Sequence, residues 1–125
     1  MATKDDVDKV LIKSDNSISG CNSPLGKQNG TQIIYLNEQN CFTVITIAHV
    51  LYHSIGFYHE HARLDRNEYI EVREKCIKYG AEDQFKIYPN ALSYGLPYNP
   101  KSIMHYPSLA FNNGECAPII SKVMQ

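Results

Sequence analysis

The chain has 125 residues, 43% of them hydrophobic and 20% charged, the make-up of one globular domain with its own core, which excludes a disordered tail or a fibrous repeat. Twelve Lys+Arg against thirteen Asp+Glu leave a net charge of −1, so the broad basic field that nucleic acid or an anionic membrane surface demands is missing. The uncharged stretch over residues 39–58 is broken by polar residues and two histidines and is no transmembrane helix.

The start, Met1-Ala2-Thr3-Lys4-Asp5-Asp6, places acids where a signal peptide carries a basic patch and an apolar run, so no signal peptide is expected in this chain. Val10-Leu11-Ile12 followed by Gly20, Pro24, Gly26 and Gly30 predicts short strands joined by turns, and Ile33-Ile34-Tyr35-Leu36 is the next strand. Asn29-Gly30-Thr31 is a formal N-glycosylation acceptor, which matters only if the chain passes through a secretory compartment. Over Thr43–Ile55 the apolar residues Val44, Ile47, Leu51 and Ile55 recur at helical spacing, and Gly56 stands where a helix C-cap takes a left-handed residue. Asp65–Tyr79 is charged and again roughly helical, which predicts a second helix starting near Asn67 and stopping at Gly80. Pro89, Pro97, Pro100, Pro107 and Pro118 predict loops and turns over the last third. Four cysteines, at 21, 41, 76 and 116, allow three pairings, and none shows the C-x-x-C spacing of a zinc or redox site.

Three of the five histidines fall in one eleven-residue window, His49 to His59. On a helix, residues four apart are offset by about 40° and 6 Å, so His49 and His53 project from one face and suit one metal ion. His59 would swing roughly 120° away from His53 on a continuous helix. A glycine turn at Gly56 lets residues 57–59 fold back, bringing His59 to a third ligand position and leaving others open, the layout of a catalytic zinc site. With this chain's own frequencies, three His and one Gly at these offsets arise by chance on the order of a few times per million start positions, which decides against coincidence.

The string from His49 to Tyr69, HVLYHSIGFYHEHARLDRNEY, resembles the zinc signature of the astacin family of metzincin metalloendopeptidases, H-E-x-x-H-x-x-G-F-x-H-E-x-x-R-x-D-R. Ser102-Ile103-Met104-His105-Tyr106 is similar to that family's Met-turn, where Met104 would floor the metal and Tyr106 would be the extra tyrosine ligand. Cys21 to Lys27 resembles the segment forming the rim of the substrate cleft, with Cys41 where the disulfide partner of Cys21 is expected; Cys76 and Cys116 match no family pair. The resemblance implies an α+β metzincin fold: a small twisted sheet and active-site helix, then a loop-rich C-terminal half with the Met-turn. It implies one Zn2+ on His49, His53 and His59, a peptide or protein substrate along the cleft, and an extracellular setting. It also implies a peptidase domain over 1–125 shortened at both ends, its upper section spanning residues 1–55 and its lower section residues 56–125.

One position departs sharply: the glutamate expected after the first ligand is Val50. In a zinc peptidase that carboxylate accepts a proton from the activated water and passes it to the leaving amine, work worth roughly a hundred- to ten-thousandfold. Valine does neither, so the expected product is an impaired or inactive pseudo-protease; an active endopeptidase or a decayed fragment are the alternatives. Leu64 and Asn67 are smaller departures. Glu60 follows His59 and is excluded as the base, His61 is expected to be solvated, and His105 to pack behind the metal without binding it. Arg63, Asp65 and Arg66 are expected to form a structural ion-pair network.

Overall fold

The computed structural model describes residues 7–18 and 20–122; the acidic start at Met1–Asp6, which bears on targeting, lies outside them. Contacts divide the chain into two compact units, residues 1–57 and 58–125.

In the first unit, β1 (Lys9–Ser14), β2 (Cys21–Asn22) and β3 (Thr31–Leu36) form one sheet of order β1-β3-β2, β1 running parallel and β2 antiparallel to β3. Side chains alternate across a strand, and β3 buries Gln32, Ile34 and Leu36 on one face. A short helix α1 (Glu38–Cys41) follows, capped by Asn37, whose side chain accepts the amides of Gln39 and Asn40. Cys41 closes on Cys21, Cα to Cα 5.9 Å, the pairing that the resemblance implied.

Helix α2 (Val44–Ser54) starts on Thr43, whose Oγ1 accepts the Thr46 amide at 3.1 Å. It ends in a full Schellman cap: the Gly56 amide donates to the His53 carbonyl and the Phe57 amide to that of Tyr52. Gly56 takes φ +105°, a left-handed value that a Cβ would strain. The helix packs through Ile47 and Val50 against Ile34, Leu36 and Cys41. The apolar residues Val44, Leu51 and Ile55, which set the sequence periodicity, are exposed.

In the second unit the helix expected over 65–79 is absent. That stretch is two 3-10 turns, Arg66–Glu68 and Glu74–Cys76, flanking β4 (Ile70–Val72), which pairs antiparallel with β5 (Ile119–Ser121). Ile70 and Val72 are β-branched and alternate about Glu71, and pairing with β5 seats Ile70 against Phe85, Tyr98 and Ile119 in the core. Tertiary burial overrides a weak helical period here. The Cys76–Cys116 disulfide, Cα to Cα 5.2 Å, ties the second turn to the loop before β5. As the prolines indicate, the rest of the last third is loop and turn.

Candidate metal centre

Helix α2 places His49 and His53 on one face: their rings lie 4.7 Å apart and their Nε2 atoms 3.1 Å apart. The Schellman turn carries the Phe57 carbonyl to 2.8 Å from His53 Nδ1. A carbonyl only accepts, so Nδ1 holds the proton and Nε2 presents its lone pair. Burial holds the His53 pKa below the ordinary value, against the pull of the Phe57 carbonyl and with help from His49, so the ring is neutral and fit to ligate at neutral pH.

His59 completes the group. One ring nitrogen from each of His49, His53 and His59 lies within 4.8 Å of the others. At zinc–nitrogen lengths of about 2.0 Å, tetrahedral ligands sit about 3.3 Å apart, close to the His49–His53 separation. Three imidazoles, with no further His, Cys, Asp or Glu grouped with them among the described residues, are the donor set of an open zinc site, and the residues fit the ion. A cavity of about 550 Å3 in the second unit, lined by Arg66, Val72, Ile77, Phe85 and Lys86, includes none of these histidines. Convergence of ring nitrogens, not cavity size, locates the chemistry.

The surroundings of His59 correct two expectations. His61 is not solvated: it is 1% exposed and stacked on the Tyr106 ring at 4.0 Å, with Nε2 3.0 Å from the Gln84 carbonyl. Its Nδ1 is buried without a hydrogen-bond partner among the described residues. Two residues beyond a ligand, this ring fills space under Tyr106 that an aliphatic residue elsewhere would fill. Nor does Arg66 join the ion pairs. Its guanidinium is buried and donates to the carbonyls of His61 and Phe85, and no carboxylate among the described residues pairs with it.

The ion-pair network is instead Glu60–Arg63–Asp65. Arg63 grips Asp65 through two bonds of 2.9 and 2.7 Å and donates to Glu60 at 2.9 Å. It also reaches the carbonyls of Leu96 and Pro97. Glu60 further accepts the Asn99 amide, and its own amide donates to the Met104 carbonyl. Glu60 and Arg63 thus hold segment 96–104 beside residues 60–65, with Asp65 gripping Arg63. Met104 is buried, at 5% exposed, within a turn in which the Ser102 Oγ accepts the Met104 amide. His105 donates from Nδ1 to the Tyr106 carbonyl and accepts the Tyr98 hydroxyl at 2.6 Å, which fixes its tautomer. Burial pushes the Tyr98 hydroxyl up, keeping it a donor.

Tyr106 is half-buried with its ring centre 4.5 Å from that of His59, and burial raises its pKa. Its hydroxyl donates to Gln84 Oε1 at 3.2 Å. Gln84 thus holds both His61 and Tyr106, a role no sequence motif marked. Gly26, one of the glycines expected in turns, takes φ +70°; its amide donates to the His53 carbonyl at 2.8 Å, and its Cα lies against Gly56. Val50, about 100° round the helix from His49, is 3% exposed inside the Ile34–Leu36–Cys41 cluster.

The shifts of His53 and His61 set a pH dependence. Burial lowers His61 to about 4 and His53 in the same direction. The unfolded chain takes up these protons near pH 6.5 and the folded chain only lower down, so metal-free stability is full above about pH 6.5 and drains as pH falls toward 4. Urea unfolding at pH 7 and pH 4 should show His61→Gln losing about 3 kcal/mol less than the parent chain over that interval. Equal losses would contradict the burial of a neutral His61.

Comparison with known proteins agrees with this site. The family model described as Astacin, a peptidase family, matches residues 1–125. Zinc metalloproteinase nas-14 of Caenorhabditis elegans is 39% identical over 122 residues, covering 96% of this chain and 24% of its own length. Meprin A subunit beta of Rattus norvegicus is 39% identical over 108 residues, covering 84% of this chain and 15% of its own. High choriolytic enzyme 1, a hatching enzyme zinc-protease from the medaka Oryzias latipes, superposes with a TM-score of 0.89 at 28% identity, covering 98% of this chain and 60% of that one. The chain spans 24%, 28% and 33% of three nematode relatives. Its mixed α+β architecture is that of a metzincin, and its cofactor is zinc on the three histidines. With sequence, fold and ligand set in agreement, it belongs to the astacin family of zinc metalloproteases.

Proposed function

We propose that the chain is an astacin-type pseudo-protease: it holds zinc and binds peptide, but hydrolyses it poorly. The observation that supports this is Val50, an apolar side chain buried in the β3–α2 core at the position where the family signature has its glutamate. Zinc, when bound, polarises a carbonyl oxygen and activates a water. The chain's own residues supply the rest. His53, fixed by the Phe57 carbonyl, offers Nε2; Met104 floors the site as the Met-turn residue; Tyr106, released from Gln84, would donate to a carbonyl gaining charge. Val50 has no group to take the proton that the family's carboxylate takes.

Peptide binds by strand addition along β2, an edge strand in the order β1-β3-β2. Residues 1–125 act as one peptidase-type domain, with an upper section over residues 1–55 and a lower section over residues 56–125. Two disulfides with no free cysteine among the described residues suit an oxidising, extracellular setting, and no helix among the described residues is long and apolar enough to cross a membrane.

The zinc-loaded chain incubated with a mixed peptide library should leave it at background while retaining extended peptides on a column, and a chelator should not change the background. Chelator-sensitive turnover clearly above background would overturn the pseudo-protease reading.

A further inference from the structure

Most asparagines with a side-chain bond here spend their carboxamide on the local backbone. Asn37 caps α1, and Asn99, Asn112 and Asn113 each accept an amide two residues on. That is the ordinary reason for asparagine in a turn. Asn29 departs from it. It is exposed in the bend before β3, and no hydrogen bond engages its carboxamide among the described residues.

Its backbone, by contrast, is held. The Gln28 amide donates to Gln32 Oε1 at 2.9 Å and the Gly30 amide to Asp8 Oδ1 at 2.8 Å. The Lys9 amide donates to the Gly30 carbonyl, and Lys27 pairs with Asp8. Gly30 takes φ +79° with open space where a Cβ would sit, so nothing crowds the bend. Thr31 then opens β3, exposed, its hydroxyl likewise without a bond among the described residues. Asn29-Gly30-Thr31 is the only Asn-x-Ser/Thr with a non-proline middle residue in the sequence.

We infer that Asn29 is the attachment site of an N-linked oligosaccharide. In the transfer, Asn29 Nδ2 attacks the anomeric carbon of a lipid-pyrophosphate-linked oligosaccharide. The N–C bond forms, the C–O bond to pyrophosphate breaks, the lipid pyrophosphate leaves, and Nδ2 gives up one proton. The inference rests on the extracellular setting proposed above, since only a secretory compartment holds that donor.

The test is translation of the chain behind a cleavable leader into microsomes, and its secretion from insect cells. The product should carry added mass that a glycan-releasing amidase removes; release in heavy-oxygen water should leave labelled aspartate at position 29 that a parallel incubation without the amidase lacks, which separates it from spontaneous deamidation of Asn-Gly. The larger band should be lost in Asn29→Gln and in Thr31→Ala and kept in Asn22→Gln. Imported chain with both disulfides closed and Asn29 unmodified would overturn the inference. The microsome arm reads acceptor competence wherever the native chain travels, so a failure of the extracellular reading, seen as free thiols in native material, is a separate result.

Discussion

Replacing Val50 by glutamate is expected to raise zinc-dependent peptide hydrolysis at least about a hundredfold over the parent chain, the low end of what a positioned general base contributes. Val50 follows His49 on α2 and is packed against Ile34, Leu36 and Cys41. A carboxylate left in that cluster would be unpaired and would neutralise or leave. The longer side chain has the reach to leave, and the zinc charge next to His49 gives it a reason to stay ionised on the ligand side. Val50→Glu should therefore be less stable than the parent without metal and recover most of the loss when zinc is added. Equal, chelator-sensitive cleavage by both proteins would show that hydrolysis proceeds without this carboxylate. Zinc-loaded, folded Val50→Glu protein with no gain in cleavage would show that position 50 is not where a base is missing.

The second large effect is on stability. The Cys76–Cys116 bond closes a loop of 40 residues, which in the chain-entropy model contributes about 4 kcal/mol, roughly a thousandfold in the folding equilibrium. It reinforces contacts that are otherwise sparse: the Ile77–Asn112 bridge, the Lys78 amide on the Phe111 carbonyl, and the Asn113 amide on the Cys76 carbonyl. Few of the apolar residues in this unit reach its core, which centres on Ile70, Ile77, Phe85, Tyr98 and Ile119. The double change Cys76→Ser with Cys116→Ser should lower the urea-derived stability by about 4 kcal/mol, and Cys21→Ser with Cys41→Ser, spanning 20 residues, by about 3 kcal/mol. A loss under about 1 kcal/mol for the first pair would mean that the bridge constrains little of the unfolded chain.

What was legible in the sequence was what local chemistry decides. Thr43 and Gly56 bracket α2 because a hydroxyl cap and a left-handed glycine act within one turn of chain. The three histidines were legible for the same reason, since i,i+4 spacing and one turn bring their nitrogens together. Features decided by distant partners were not. Ile70 and Val72 become a strand because residues 119–121 pair with them. His61 is buried because Tyr106 and Gln84, more than twenty residues away, enclose it. Val50 faces the core because β3 lies on that side of α2, and Cys76 finds Cys116 through loops whose path no periodicity describes.

The central claim, that His49, His53 and His59 form one zinc site in this chain, is tested most directly by elemental analysis of folded, disulfide-bonded protein dialysed against dilute zinc. Close to one equivalent of zinc per chain is expected at pH 7, falling as the imidazoles protonate below about pH 6.5, and absent from His53→Ala. Less than about a tenth of an equivalent in folded protein at pH 7, or full retention by His53→Ala, would contradict it.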